Sequence, residues 1–285
     1  MRNDTIMVIG TGQMGAGIAQ VCAQAGYNVY LNDVSAEQIQ KGMKRISDQL
    51  MRQAEKGKMS QQDVKEIYQR LSPAPDLEDA HEAFLIVEAA IENMDVKKEI
   101  FKRLDDATGD FAILASNTSS LSITELASVT NKPEHVIGMH FMNPVPVMQL
   151  IEVIKGLETS EETYQTVVAV AKKLNKVPIE VHDFPGFISN RILMPMINEA
   201  VFALYEGVAD KESIDSIMKL GMNHPMGPLA LADLIGLDTC LSIMETLHQG
   251  FGDDKYRPCP LLKQYVNAGR LGKKSGRGFY MYGNN

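Results

Sequence analysis

The sequence predicts an α/β protein in two parts, a mostly parallel sheet covered by helices and a smaller all-helical domain after it. Three observations carry this expectation. Short apolar runs alternate with stretches of helical period through the first two thirds of the chain. A glycine-rich turn joins the first apolar run to the first helical stretch. Beyond residue 181 the apolar runs give way to helical periodicity, the change falling at the breaker-rich HDFPGF, residues 182–187.

Residues 5–9 read as a buried strand. Ile18, Val21, Cys22 and Ala25 then recur at helical spacing, and strand character resumes at 28–31, a βαβ opening. A long amphipathic helix is predicted over 36–56, with Ile39, Met43, Ile46, Leu50 and Ala54 on one face and Gly57-Lys58 as the following loop. Further strands are predicted at 84–87, 111–115, 136–140, 150–154 and 177–181, with helical segments between several of them. The first domain is expected to cover 1–184 and the second 185–285. In the second, a helix over 188–205 is expected to kink at Pro195, and further helices follow around 211–220 and 230–247. The 188–205 stretch is apolar on more than one side, which points to burial against other helices or a second subunit.

Bulk properties narrow the function. A chain of 285 residues, 45% apolar and 22% charged, has the make-up of a soluble enzyme. The net charge of −8 speaks against a general binder of nucleic acid or anionic membranes, so an anionic ligand must meet a local basic patch. No run approaches the ~20 apolar residues of a membrane span. Cys22, Cys240 and Cys259 lie far apart without a CxxC, which offers neither a disulfide framework nor a thiolate metal site and fits a reducing cytosol. The N-terminus shows no signal or transit pattern, so a cytoplasmic protein is expected. The six histidines include no i, i+4 pair and no HExxH, and no metal is expected.

The motifs point to dinucleotide chemistry. Gly10-Thr11-Gly12-Gln13-Met14-Gly15 is G-x-G-x-x-G, and it follows a predicted strand and opens a helix, the context in which the glycines allow close approach of a pyrophosphate to a helix N-terminus. Asp33 stands at the end of the next strand, where a carboxylate accepts bonds from ribose hydroxyls and repels a 2′-phosphate. With no cation at Val34 or Ser35, NAD is favoured over NADP, and the first domain is Rossmann-type. His140 closes a predicted strand ahead of the stiff turn FMNPVP, and Glu152 lies twelve residues on, where a returning chain can set its carboxylate against the imidazole. Spacing alone leaves that pairing and an ordinary structural histidine equally open. Lys41, Arg45, Arg52 and Lys56 form a basic stripe on the 36–56 helix, either a solvated face or a phosphate patch. LASNTSSLSITEL, residues 114–126, crowds hydroxyls at a strand end, as either helix caps or substrate contacts.

GTGQMGAGIAQ, VEAAIENMDVKKEIF, ASNTSSLSIT, GMHFMNPVPVMQLIEV, PGFISNRILMPMINEA, LGMNHPMGPLALADLIGLD and GRLGKKSGRGFYMY are spread along essentially the whole chain. They resemble the L-3-hydroxyacyl-CoA dehydrogenases, and most closely the short bacterial 3-hydroxybutyryl-CoA dehydrogenases of that family. Much of the family reads HFFNP, so Met142 replaces an aromatic residue. The resemblance implies His140 as the acid/base, Glu152 as its partner, Ser119 as a contact of the reacting oxygen and nicotinamide region, and Asn190 as a holder of the thioester carbonyl. It further implies that Gly10, Gly12, Gln13, Met14, Gly15, Asp33, Glu92, Lys97, Asn143 and the tail lysine Lys274 meet the cofactor, and that Lys56 meets coenzyme A. Gln49 stands where relatives often carry Ser or Asn, and no role is transferred to it.

The implied reaction is hydride transfer between NAD and C3 of a 3-hydroxyacyl-CoA thioester, in short-chain fatty acid or butyrate metabolism. Neutral His140 takes the hydroxyl proton in oxidation and returns it in reduction, with Glu152 favouring the imidazolium. Ser119 and His140 stabilise charge developing on the oxygen. The helical domain is implied to serve substrate binding and association into a homodimer or higher oligomer. Two other readings are a dehydrogenase of a free 3-hydroxy acid and a non-catalytic relative of the crystallin kind, which the presence of Ser119, His140, Glu152 and Asn190 disfavours.

Overall fold

The computed structural model describes residues 4–283 and divides into two compact units, Met1–Asp183 and Phe184–Asn285. In the first unit β1 (Thr5–Ile9) is buried throughout, and α1 (Gln13–Gln24) returns the chain to β2 (Asn28–Asn32). α2 (Ala36–Glu55) starts where the Ser35 side chain accepts from Gln38 N, and it buries Ile39, Met43, Ile46 and Leu50. A capping box of Ser60 and Asp63 begins α3 (Gln61–Tyr68), which leads into the three-residue strand β3 (Leu71–Pro73). Then come β4 (Leu85–Glu88), α4 (Met94–Ala107), β5 (Ile113–Ser116) and α5 (Ile123–Ala127). β6 (Val136–Phe141), β7 (Leu150–Lys155), α6 (Glu161–Lys173) and β8 (Val177–His182) complete the unit.

The eight strands lie in the order β3-β2-β1-β4-β5-β6-β7-β8. All neighbours are parallel except β6 and β7. From β1 the chain moves outward to β3 on one side and resumes at β4 on the other, a reversal of order that opens a crevice beyond the carboxyl ends of the strands. The core is aliphatic, including Ile6, Val8, Leu31, Val87 and Ile137.

The second unit contains α7 (Ser189–Tyr205), α8 (Lys211–Gly221), α9 (Pro228–Ile235), α10 (Leu237–Phe251) and α11 (Pro260–Asn267). Pro195 lies inside α7 without ending it. The single helix expected over 230–247 is two: Gly236, at φ 106°, separates α9 from α10 in a conformation that L side chains rarely adopt. The tail is clasped by the buried Asp233, which accepts from Phe279 N and Tyr280 N at 2.9 Å and from the Tyr282 hydroxyl at 3.0 Å. A Cβ on Gly278 would lie 1.8 Å from that carboxylate, so glycine is required for the clasp to close.

Candidate active site

β1 ends at Ile9, and Gly10 turns the chain at φ 86°. A Cβ on Gly15 would stand 1.7 Å from the Gly10 carbonyl oxygen, so α1 packs directly on the turn. Gly12 is the N-cap of α1, no side chain caps it, and a Cβ there would meet nothing within 4 Å. The first-turn N–H groups therefore lie beside open space with the positive end of the helix behind them. Asp33, just past β2, accepts at Oδ2 from Thr11 N and the Thr11 hydroxyl, both at 2.7 Å, and at Oδ1 from Val34 N at 2.7 Å. The absence of a side chain at Gly42 lets α2 close on Thr11, whose Cβ would lie 2.5 Å from an added methyl. A cleft of about 910 Å³ opens here, lined among others by Gly10, Gly12, Asp33, Val34, Ile91 and Val96. An uncapped helix start, a carboxylate fixed at the second strand's end and an apolar slot beside it fit an NAD molecule. A second hollow of about 570 Å³ lies at the opposite ends of the strands, near Thr5, Asn28 and Phe84, and holds none of the candidate residues.

The hydroxyl-rich segment after β5 is organised by Glu92. Its Oε1 accepts from the Thr118 hydroxyl at 2.6 Å, from Ser119 N at 2.9 Å, and from the hydroxyls of Ser119 and Ser120 at 3.2 and 3.3 Å. Its Oε2 lies 3.5 Å from Lys97 Nζ. Burial pushes the Glu92 carboxyl up, but Lys97 and the surrounding donors outweigh that and hold it below its ordinary value. Lys97 is buried and pairs with Glu88 at 2.7 Å. Not all the hydroxyls face the site: Ser122 caps α5. Asn117 Oδ1 accepts from Phe141 N at 2.9 Å, which ties this segment to β6 beside His140.

His140 and Glu152 are cross-strand partners in the antiparallel β6–β7 pair. His140 Nδ1 lies 2.8 Å from Glu152 Oε2, with the residues 8% and 2% exposed. Nδ1 is thus committed to the carboxylate, which fixes the orientation of the ring. The turn between these strands is held on three sides. The Gln13 amide donates to Asn143 Oδ1 at 3.0 Å, linking it to the glycine turn. Val145 packs so tightly on Gly17 that an added Cβ would lie 2.9 Å away. The buried Lys176 ammonium donates to the carbonyls of Val145 and Met148 at 2.5 and 2.7 Å, and its burial pushes its pKa down.

The first unit thereby assembles Gly10, Gly12, Gln13, Asp33, Glu92, Lys97, Ser119, Asn143 and His140 at or just beyond the carboxyl ends of β1, β2, β4, β5 and β6, with Glu152 toward the amino end of the antiparallel β7. Met14, in the first turn of α1, is half-buried and packs on the core. Lys56 is the exposed C-cap of α2; Lys41 pairs with Glu37 at 2.7 Å, and Arg45 donates to Thr11 O at 3.5 Å. In the second unit, Asn190 is buried in the first turn of α7. Lys274 is engaged by Asp238 at 2.7 Å. Sequence reasoning missed Thr11, Glu88, Ser116, Asn117 and Lys176. A glutamate closing the apolar run LIVE was the one available signal, for Glu88.

Residues 5–184 match the NAD binding domain of 3-hydroxyacyl-CoA dehydrogenase, and residues 186–282 match its C-terminal domain. The chain is 63% identical over 277 residues to the "Probable 3-hydroxybutyryl-CoA dehydrogenase" of Bacillus subtilis, covering 97% of this chain and 96% of the relative. It is 53% identical over 275 residues to the 3-hydroxybutyryl-CoA dehydrogenase of Bradyrhizobium diazoefficiens, covering 96% and 94%. The crystal structure of (S)-3-hydroxybutyryl-CoA dehydrogenase from Ralstonia eutropha superposes with a TM-score of 0.97 at 49% identity, over 99% of each chain.

Proposed function

The chain belongs to the 3-hydroxyacyl-CoA dehydrogenase family, and from that premise we propose that it interconverts (S)-3-hydroxybutyryl-CoA and acetoacetyl-CoA with NAD. The observation that carries this reading is the buried His140–Glu152 pair, set at the same edge of the sheet as the glycine turn and Asp33. NAD supplies the hydride chemistry when bound. His140 Nε2 takes the C3 hydroxyl proton in oxidation and returns it in reduction. Glu152 orients the ring through Nδ1 and offsets the imidazolium charge. Ser119, fixed by Glu92, contacts the reacting oxygen, and Asn190 holds the thioester carbonyl. Gly10, Gly12, Gln13, Met14, Gly15 and Asp33 hold the adenosine and pyrophosphate part of the cofactor, and Glu92, Lys97 and Asn143 its nicotinamide side. Lys56 meets the coenzyme A phosphates. Lys274, whose ammonium Asp238 engages, completes the set of cofactor residues.

The test is NADH oxidation with acetoacetyl-CoA, longer 3-ketoacyl-CoAs and free acetoacetate. Acetoacetyl-CoA is expected to give the highest kcat/KM and the free acid only background turnover. Preference for the free acid would overturn the thioester assignment, and preference for long chains the short-chain one.

The reading extends to a homodimer formed through the helical unit, which exposes Val208, Leu220 and Met281 at 73%, 87% and 72%. Light scattering is expected to give at least a dimer mass, and a monomer at working concentration would remove this part. A cytoplasmic location goes with it: all three cysteines are free and buried, and among the described residues no helix is long and apolar enough to cross a membrane.

A further inference from the structure

Glu88 closes β4 with its side chain wholly buried, and Lys97 is 1% exposed. Core stability does not require this pair, because apolar side chains of similar volume commonly serve a buried position as well or better. What distinguishes the pair is where its bonds lead. Glu88 Oε1 accepts from Ala90 N at 2.6 Å and Lys97 Nζ at 2.7 Å, and Oε2 accepts from the Ser116 hydroxyl at 2.7 Å. The Ser116 oxygen in turn accepts from Thr118 N at 3.2 Å. On the other side, Lys97 faces Glu92 Oε2 at 3.5 Å, and Glu92 Oε1 receives Thr118, Ser119 and Ser120. Two routes leave one carboxylate and converge on residues 118–120.

We propose that Glu88 is a positioning residue for the dehydrogenase reaction, acting through Ser116 and through Lys97 on Glu92 to fix the segment that presents Ser119. The inference rests on the functional reading above for the role of Ser119. The geometry of the two routes stands without it. With Glu88 neutral, the Lys97 ammonium is left with Glu92 as its one carboxylate, and the stronger pull competes with the hydroxyls that Glu92 now receives. The serine segment then loses its register. A displacement of about 1 Å remote from the chemistry can cost up to ~10²-fold in rate.

The test compares wild type, Glu88→Gln, Glu92→Gln, the double variant and Ser116→Ala. Acetoacetyl-CoA reduction is measured for kcat and KM, and chemical unfolding is measured on the ligand-free proteins. Glu88→Gln is expected to lower kcat by ~10–10²-fold with KM for acetoacetyl-CoA changed by less than about threefold, since the thioester handle is bound elsewhere. Because both routes end on the segment that Glu92 holds, the double variant should lose less than the product of the two single losses, and the unfolding free energies should be non-additive in the same cycle. A folded Glu88→Gln protein with kcat within about threefold of wild type, or losses that multiply in the double variant, would overturn the proposal. Where Glu88→Gln does not fold, Ser116→Ala decides it: a lower kcat with unchanged KM supports the route, and an unchanged kcat overturns it. If wild type itself does not reduce acetoacetyl-CoA, it is the functional reading that fails. The unfolding cycle then decides the Glu88 proposal by itself, non-additivity supporting it and additivity overturning it.

Discussion

His140 and Glu152 face each other directly across an antiparallel strand pair, with Nδ1 and Oε2 2.8 Å apart and both residues buried. Register, rather than loop flexibility, sets this contact, so it survives without a ligand. His140→Gln is expected to remove turnover while leaving NADH binding, followed by fluorescence, nearly intact. General acid–base catalysis is worth ~10²–10⁴-fold, and a variant keeping more than about a tenth of wild-type kcat would contradict the assignment.

Glu152→Gln keeps the hydrogen bond to Nδ1 but removes the charge that offsets the imidazolium. It is expected to lower kcat and displace the pH–rate profile of acetoacetyl-CoA reduction. An unchanged profile would remove Glu152 from the acid–base pair.

Asp33 is held from two sides, by Thr11 and by Val34 N, so it cannot swing away from a larger ligand without losing three hydrogen bonds. The cleft beside it also presents Asp76, Asp95 and Glu99, and Arg103, whose guanidinium lies 3.4 Å from Glu78. A 2′-phosphate would meet this acidic rim, and kcat/KM is expected to favour NADH over NADPH by at least ~10²-fold, a difference of about 2.7 kcal/mol. Asp33→Ser should narrow the ratio. NADPH as the better substrate would show that the second strand's end has been misread.

Glu92 makes an acid-stability prediction. Its folded-state pKa lies below the ordinary 4.5, so the unfolded chain binds the proton first as pH falls. The stabilisation is full above the ordinary value and is lost as pH drops through the folded one. Tm of wild type minus Tm of Glu92→Gln is therefore expected to be constant near neutrality and to shrink from about pH 4.5 downward. A difference that stays the same across that window would show that the carboxylate is not held by Lys97 and the serine hydroxyls in solution.

Much of this site could be read from the residues alone, because its parts carry local signals. The glycine turn, the carboxylate at the next strand's end and the apolar strand before His140 each follow from a short stretch of chain. The twelve residues between His140 and Glu152 bring them together only if the chain returns in one register, and nothing local fixes that register. Glu92 and Ser119 are 27 residues apart, so their bond depends on β4 and β5 lying side by side. β3 was missed because three residues ending in proline carry too little pattern, and its place at the sheet edge is what tolerates the proline. The break at Gly236 was missed because Leu229, Ala232, Leu237 and Cys240 are all buried, so apolar periodicity runs on through it.

Lys56 tests the coenzyme A end of the reading. It caps the C-terminus of α2, where a cation also meets the negative end of the helix. Lys41 is partly committed to Glu37 and Arg45 to the Thr11 carbonyl, which leaves Arg52 and Lys56 as the cations of the stripe better placed for a remote phosphate. Lys56→Ala should therefore lower kcat/KM for acetoacetyl-CoA more than for a truncated acetoacetyl thioester lacking the nucleotide. An exposed ion pair is worth ~0.2–1 kcal/mol, so the loss on the full substrate should not exceed roughly fivefold. Added salt should narrow the gap between wild type and variant, since screening weakens an exposed contact. Binding energy made far from C3 can also be used at the reacting carbon, so the loss is to be read in kcat/KM and not in KM alone. Equal losses on the full and truncated substrates would assign Lys56 to the helix terminus, where its charge and stem support the fold, and would withdraw it from phosphate binding.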